Sequence, residues 1–171
     1  MIFLLLSSGF SLCSTLFPPE KLSMQREDYY GNELRTDGYY YCQEPKGDTY
    51  EAKTLIMFFY RNGILFSPSA YWTLDLEIVE KQMVIQNEEQ RKERVYWNVF
   101  TVVDNRIKYE GWANPATTMT IQKNSGYIEN DTTFRITEQY FSHNETTYYT
   151  NDVWHFKKFS PKPDSTNNFI K

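Results

Sequence analysis

From Gly38 onward the chain switches between two hydrophobic rhythms, and each switch marks an element. Gly38 to Cys42 is dense in β-forming residues. Lys53 to Phe66 carries two apolar runs around Asn62-Gly63, a pair suited to a tight hairpin because both residue types tolerate positive φ. Between Trp72 and Arg94 the period changes. Leu76, Val79 and Met83 recur at helical spacing, while Glu77 with Lys81 and Glu88 with Lys92 form opposite-charge i,i+4 pairs. This predicts one helical insertion near 74–94, capped by Thr73 or Asp75. Period two then returns. Val95 to Val103 and Arg106 to Trp112 flank an Asp104-Asn105 turn, and Ile107 and Tyr109 alternate with Arg106, Lys108 and Glu110. Thr118 to Lys123, a turn at Asn124-Ser125-Gly126, and Tyr127 to Glu129 follow. Phe134 and Ile136 then alternate with Thr133, Arg135 and Thr137, and Trp154 and Phe156 with His155 and Lys157. About eight strands with mostly short connections predict a mostly β fold: an antiparallel meander, lipocalin-like or a small up-and-down barrel, with the helix inserted after the third strand. A two-sheet sandwich is the rival architecture.

The pattern before Gly38 is different. Met1 to Leu6 is apolar, small residues and Cys13 follow, and Pro18-Pro19 ends the run, so residues 1–13 read as a secretory or lipoprotein signal. No Lys or Arg precedes Lys21, so the usual positive start is missing. Two processing routes fit Cys13. As the end of a relaxed lipobox, Phe10-Ser11-Leu12-Cys13, it would be lipidated, although Leu12 stands where a small residue is usual. Alternatively, Ser11 and Cys13 form the small pair of an ordinary signal-peptidase site. Either route leaves Cys42 alone, whereas an unprocessed Cys13 would leave a bridge to Cys42 open. Residues 14–36 are polar and aperiodic, which reads as a tether; 37–159 form the β domain; 160–171, with two prolines, read as a tail that lies over the surface or frays.

Composition narrows the chemistry. The 171 residues suffice for one core, and a net charge of −4 without a strongly basic stretch argues against nucleic acid as a partner. The two histidines, His143 and His155, lack ligand spacing, and no nucleophile-elbow, phosphate-loop, dinucleotide, CxxC or EF-hand pattern occurs. No catalytic residue, metal or cofactor is expected. The polar clusters Asn130-Asp131-Thr132-Thr133 and Asp164-Ser165-Thr166 read as turn chemistry. What stands out is the aromatic load, with 12 Phe, 14 Tyr and 4 Trp. Phe100, Tyr109, Phe134, Trp154 and Phe156, in inward phase with Ile107 and Ile136, serve either as plain core filling or as the lining of a ligand cavity.

Trp97-x-x-Phe100, Asn105-x-Ile107, Trp112, the run Gly126 to Phe134, and Trp154-x-Phe156-x-x-Phe159 leading to Lys162 to Asn167 together resemble a group of small uncharacterised envelope lipoproteins of Bacteroidota. The resemblance covers Asp37 to the end. It implies an exported, lipid-anchored β domain and carries over no activity. Gly38-Tyr39-Tyr40 also resembles the Gly-x-Trp entry to the first lipocalin strand, with Tyr40 at the tryptophan position. The expected function is therefore a non-catalytic envelope protein facing the periplasm or exterior, held to the membrane through Cys13, with a small apolar or sugar-like ligand. The alternative is a structural lipoprotein that docks an envelope complex through Arg91 to Arg94 and the tail.

Overall fold

The computed structural model describes residues 20–113 and 119–171. Eight strands run in chain order around a closed antiparallel barrel: β1 (Gly38–Glu44), β2 (Lys53–Phe59), β3 (Ile64–Phe66), β4 (Trp97–Val103), β5 (Arg106–Ala113), β6 (Thr120–Asn130), β7 (Thr133–Phe141) and β8 (Thr146–Lys158). β8 closes on β1 from Gly38↔Lys158 to Tyr41↔His155, which excludes the sandwich. Among the described residues the one α-helix, α1 (Leu76–Gln90), lies between β3 and β4.

Local chemistry explains most of the boundaries. Asp104 and Asn105 both adopt positive φ, 49° and 58°, which matches the twist of the β4–β5 hairpin. Gly63 has φ +75°, and a Cβ there would lie 2.0 Å from the Glu27 carbonyl oxygen, so glycine is needed for conformation and for space. Asp75, not Thr73, caps α1: its carboxylate accepts from the backbone N–H groups of Glu77 at 2.8 Å and Ile78 at 3.4 Å. The helix buries Val79, Met83 and Asn87. Its ion pairs are offset from the expected ones, joining Arg91 to Glu88 at 3.1 Å and Lys92 to Glu89 at 2.6 Å.

Three expectations change. The turn at Asn124-Ser125-Gly126 is absent, and β6 passes straight through with its register against β7 shifting at Ser125/Gly126. Ladders on both sides hold the segment extended, and a Cβ on Gly126 would lie 1.8 Å from the Arg135 carbonyl oxygen, so the glycine permits a bulge rather than a reversal. The strand expected from Val95 begins at Trp97, after a 3-10 turn over Arg94–Tyr96. The stretch read as a tether does not hang free over residues 20–36: the Ser23 amide and hydroxyl donate to the buried Glu110 carboxylate on the outer face of β5, and Tyr29 and Leu34 enter the interior cluster. The tail is pinned to the surface rather than frayed. Lys162 Nζ donates to the carbonyls of Thr36 at 2.7 Å and Phe59 at 2.8 Å, Tyr60 donates to the Pro163 carbonyl at 2.8 Å, and Ile170 is buried.

Two apolar layers result. One fills the barrel and includes Tyr40, Phe59, Phe100, Ile107, Phe134 and Ile136. The other joins the outer faces of β1 to β4 to α1 through Tyr39, Ile56, Phe58, Tyr71, Val79 and Trp97.

Candidate functional site

The barrel interior divides along its axis. At one end, where β1 starts and β8 finishes, aromatic rings meet edge to face, with centroids 4.9 Å apart for Phe59 and Phe100 and 5.1 Å for Tyr40 and Phe134. The incoming chain stoppers this end. The Arg35 guanidinium lies 4.4 Å from the Phe156 ring centre, Tyr40 accepts from the Arg35 amide at 2.9 Å, and Tyr29 accepts from the Leu34 amide at 2.8 Å. Burial pushes the Tyr29 phenol up to about 12, with the Leu34 contact opposing and Glu33 adding to the rise.

The other end is open and polar. A cavity of about 310 Å3 reaches into the barrel between Met57, Asn98, Tyr109, Gln122, Gln139, Asp152 and Trp154, with Glu44 and Lys53 at the rim. Each residue reaches it through strand phase. Asn98 stands two before Phe100, Asp152 two before Trp154, and register pairs Tyr40 with Met57 and Cys42 with Leu55 on the same face. Gly111 makes room: a Cβ there would sit 1.9 Å from Asn98 Oδ1. The lining groups bond to one another in part. Gln139 donates to Asp152 at 3.1 Å, Thr150 donates to the same carboxylate at 2.5 Å, Gln122 donates to Asn124 at 3.1 Å, and Lys53 pairs with Glu44 at 3.1 Å. Trp154 is different. It is 3% exposed, stacks on Phe134 at 5.7 Å, and its indole Nε1–H has no hydrogen-bond partner. The Tyr109 phenol is raised from its ordinary range by burial first and by the Asp152 charge second. The Cys42 thiol is pushed up to about 12 by burial, then by Asp152 and Glu44, so it stays protonated and a poor nucleophile at neutral pH.

Of the five aromatic candidates, Tyr109 and Trp154 line the cavity. Phe100 and Phe134 are closed core beneath it, and Phe156 lies at the stoppered end under Arg35. Cys13 lies outside the described residues. Sequence reasoning missed Asn98, Gln122, Gln139 and Asp152. Alternation counted back from Phe100 and Trp154 reaches Asn98 and Asp152, whereas Gln139 is hidden by a register shift between Ile136 and Glu138 that reverses the phase of β7. Among the described residues, no three His, Cys, Asp or Glu side chains gather as a metal site, and no helix is long and apolar enough to cross a membrane. The chain matches no family model, no curated protein and no solved structure.

Proposed function

We propose that this protein is an exported, lipid-anchored, non-catalytic barrel that takes a small sugar-like ligand into its open end. The observation that carries the reading is the unpartnered Nε1–H of Trp154 in a side chain that is 3% exposed and lines the cavity. A buried donor without a partner costs about 1–3 kcal/mol, which a ligand oxygen accepting from it would recover. Around that donor stand amides, a carboxylate, a phenol and an indole. That mixture suits a ring bearing several hydroxyl groups better than an apolar ligand, and the volume lies at the lower end of the roughly 300–1,000 Å3 typical of ligand sites. Non-catalytic action is favoured by the engaged Asp152 carboxylate, the paired Lys53 and the protonated Cys42.

Tryptophan fluorescence and calorimetric titration with glucose, mannose, galactose and N-acetylglucosamine test the ligand. At least one should bind wild type, and Trp154→Phe, which keeps the stack on Phe134 but removes the donor, should weaken it by about tenfold or more. Equal binding by the variant would defeat this use of the site. The anchor rests on the sequence of residues 1–13, and labelling with a palmitate analogue should be lost in Cys13→Ala; equal labelling would sink it.

Docking to an envelope protein is the second reading. Arg91 is engaged with Asp164 and the Thr166 carbonyl, so the helix end and tail hold each other. The reading moves instead to the exposed Ile78 and Ile85, seven residues apart on α1. Ile85→Glu abolishing a reproducible co-purified partner would favour it.

A further inference from the structure

The seam between β1 and β8 stops at Tyr41↔His155, and beyond it the inner face of the sheet formed by β6, β7 and β8 continues the cavity wall. Register pairs Gln139 with Tyr148 and Phe141 with Thr146, so Gln139, Phe141 and Tyr148 share a face. That face lines a second hollow of about 490 Å3 together with His143, Asn144 and Thr150. Gln139 lines both hollows. The face is aromatic and open to solvent: Phe141 and Tyr148 rings meet at 5.7 Å and 79°, and Tyr148 is 50% exposed.

Resting on the sugar-binding reading above, we infer that the ligand is a chain of at least two sugar rings. One ring enters the barrel beside Trp154 and Tyr109, and the next lies on the Tyr148 and Phe141 rings of that sheet face. The hollow inside the barrel is too small for a long ligand, yet its wall does not end at the rim. It passes through Gln139 onto a shelf formed by the half-buried Phe141 ring and the exposed Tyr148 ring. Sugar rings present C–H faces to aromatic surfaces while their hydroxyl edges reach amides, and Asn144 and Gln139 flank the shelf for that purpose. A ligand that filled only the barrel would leave these rings in water. A polymer docked at one end would use both hollows at once, the second ring binding at the high effective concentration set by its link to the first.

The same sheet supplies its own control, because Tyr149 neighbours Tyr148 in sequence but pairs with Glu138 on the opposite face, 83% exposed. The test compares each monosaccharide with its linear tetramer: glucose with cellotetraose, mannose with mannotetraose, galactose with β-1,4-galactotetraose and N-acetylglucosamine with chitotetraose. In the series that binds, the tetramer should bind about tenfold or more tighter than the monomer. Tyr148→Ala should bring the tetramer back to the affinity of the monomer and leave the monomer unchanged, while Tyr149→Ala should change neither. A monomer that binds in a Trp154-dependent way with a tetramer no tighter, or equal losses from Tyr148→Ala and Tyr149→Ala, overturns the extended site and leaves the barrel site standing. Binding of no member of any series overturns both.

Discussion

The two ends of the barrel are built by the same eight strands with the same inward phase, yet one end is packed and the other is hollow. At the packed end the inward positions are mostly large and apolar, and the chain from Tyr29 to Arg35 completes the closure. At the hollow end the inward positions turn to Asn98, Gln122, Gln139 and Asp152, whose polar groups need partners that a dry core would not supply. Closure of a barrel therefore does not decide whether its interior is solid. Side-chain polarity, layer by layer along the axis, decides it.

The sharpest way to break this contrast is to make a hole at the packed end. Phe134 is fully buried between Tyr40, Phe59 and Trp154, so Phe134→Ala should cost about 3–5 kcal/mol, read as a large fall in the urea midpoint. A midpoint that barely moved would mean that this end is not tightly packed. A smaller effect should come from Lys162, which ties the tail to carbonyls at the same end and sits 4.1 Å from the Tyr60 ring centre. Burial lowers its pKa from 10.5 to about 8, with Asp37 opposing. Between these values the unfolded chain holds the proton and the folded chain releases it, so unfolding free energy should rise with pH from about 8 to 10.5. Buried phenols such as Tyr39 and Tyr40, pushed up chiefly by desolvation, act in the opposite sense once free tyrosines ionise. Urea melts of wild type against Lys162→Met isolate the lysine, and a difference between them that stayed flat across this window would refute the assignment. The smallest effect should come from the hollow end. Trp154→Phe removes buried area and an unpartnered donor together, opposing changes that should leave stability within about 1.5 kcal/mol. A loss as large as that of Phe134→Ala would erase the difference between the ends.

The architecture was legible because the rules that produce it are local. Asn62-Gly63 and Asp104-Asn105 announce their turns, Val79 and Met83 announce the helix, and alternation at Phe134-Ile136 and Trp154-Phe156 announces the inward face. The cavity was less legible because it depends on counting through irregular ladders. The ladders of β7 with β6 and with β8 shift register between Ile136 and Glu138, and the inserted residue reverses the phase of β7 beyond it. Gln139 thus faces inward where uninterrupted alternation along β7 would place Glu138 there, whereas Tyr148 keeps the phase of Trp154 and Asp152. The role of residues 20–36 was hidden for another reason. Their contacts go to Glu110 and to the barrel interior, partners far away in sequence that leave no periodic trace in a short polar stretch.

The seam between β1 and β8 has a kinetic meaning. It joins the first strand to the last from Gly38↔Lys158 to Tyr41↔His155, so over that stretch neither strand keeps a free ladder edge once it forms, which protects the seam from edge-to-edge association. Until β8 has been synthesised, however, β1 has only β2 beside it and offers its other edge to any extended chain nearby. The final step must also pay the entropy of closing a loop that encompasses nearly the whole domain. Refolding should accordingly be slow beside that of a helical bundle of equal length, and the interval before the seam closes is when the chain is most exposed to mispairing with its neighbours.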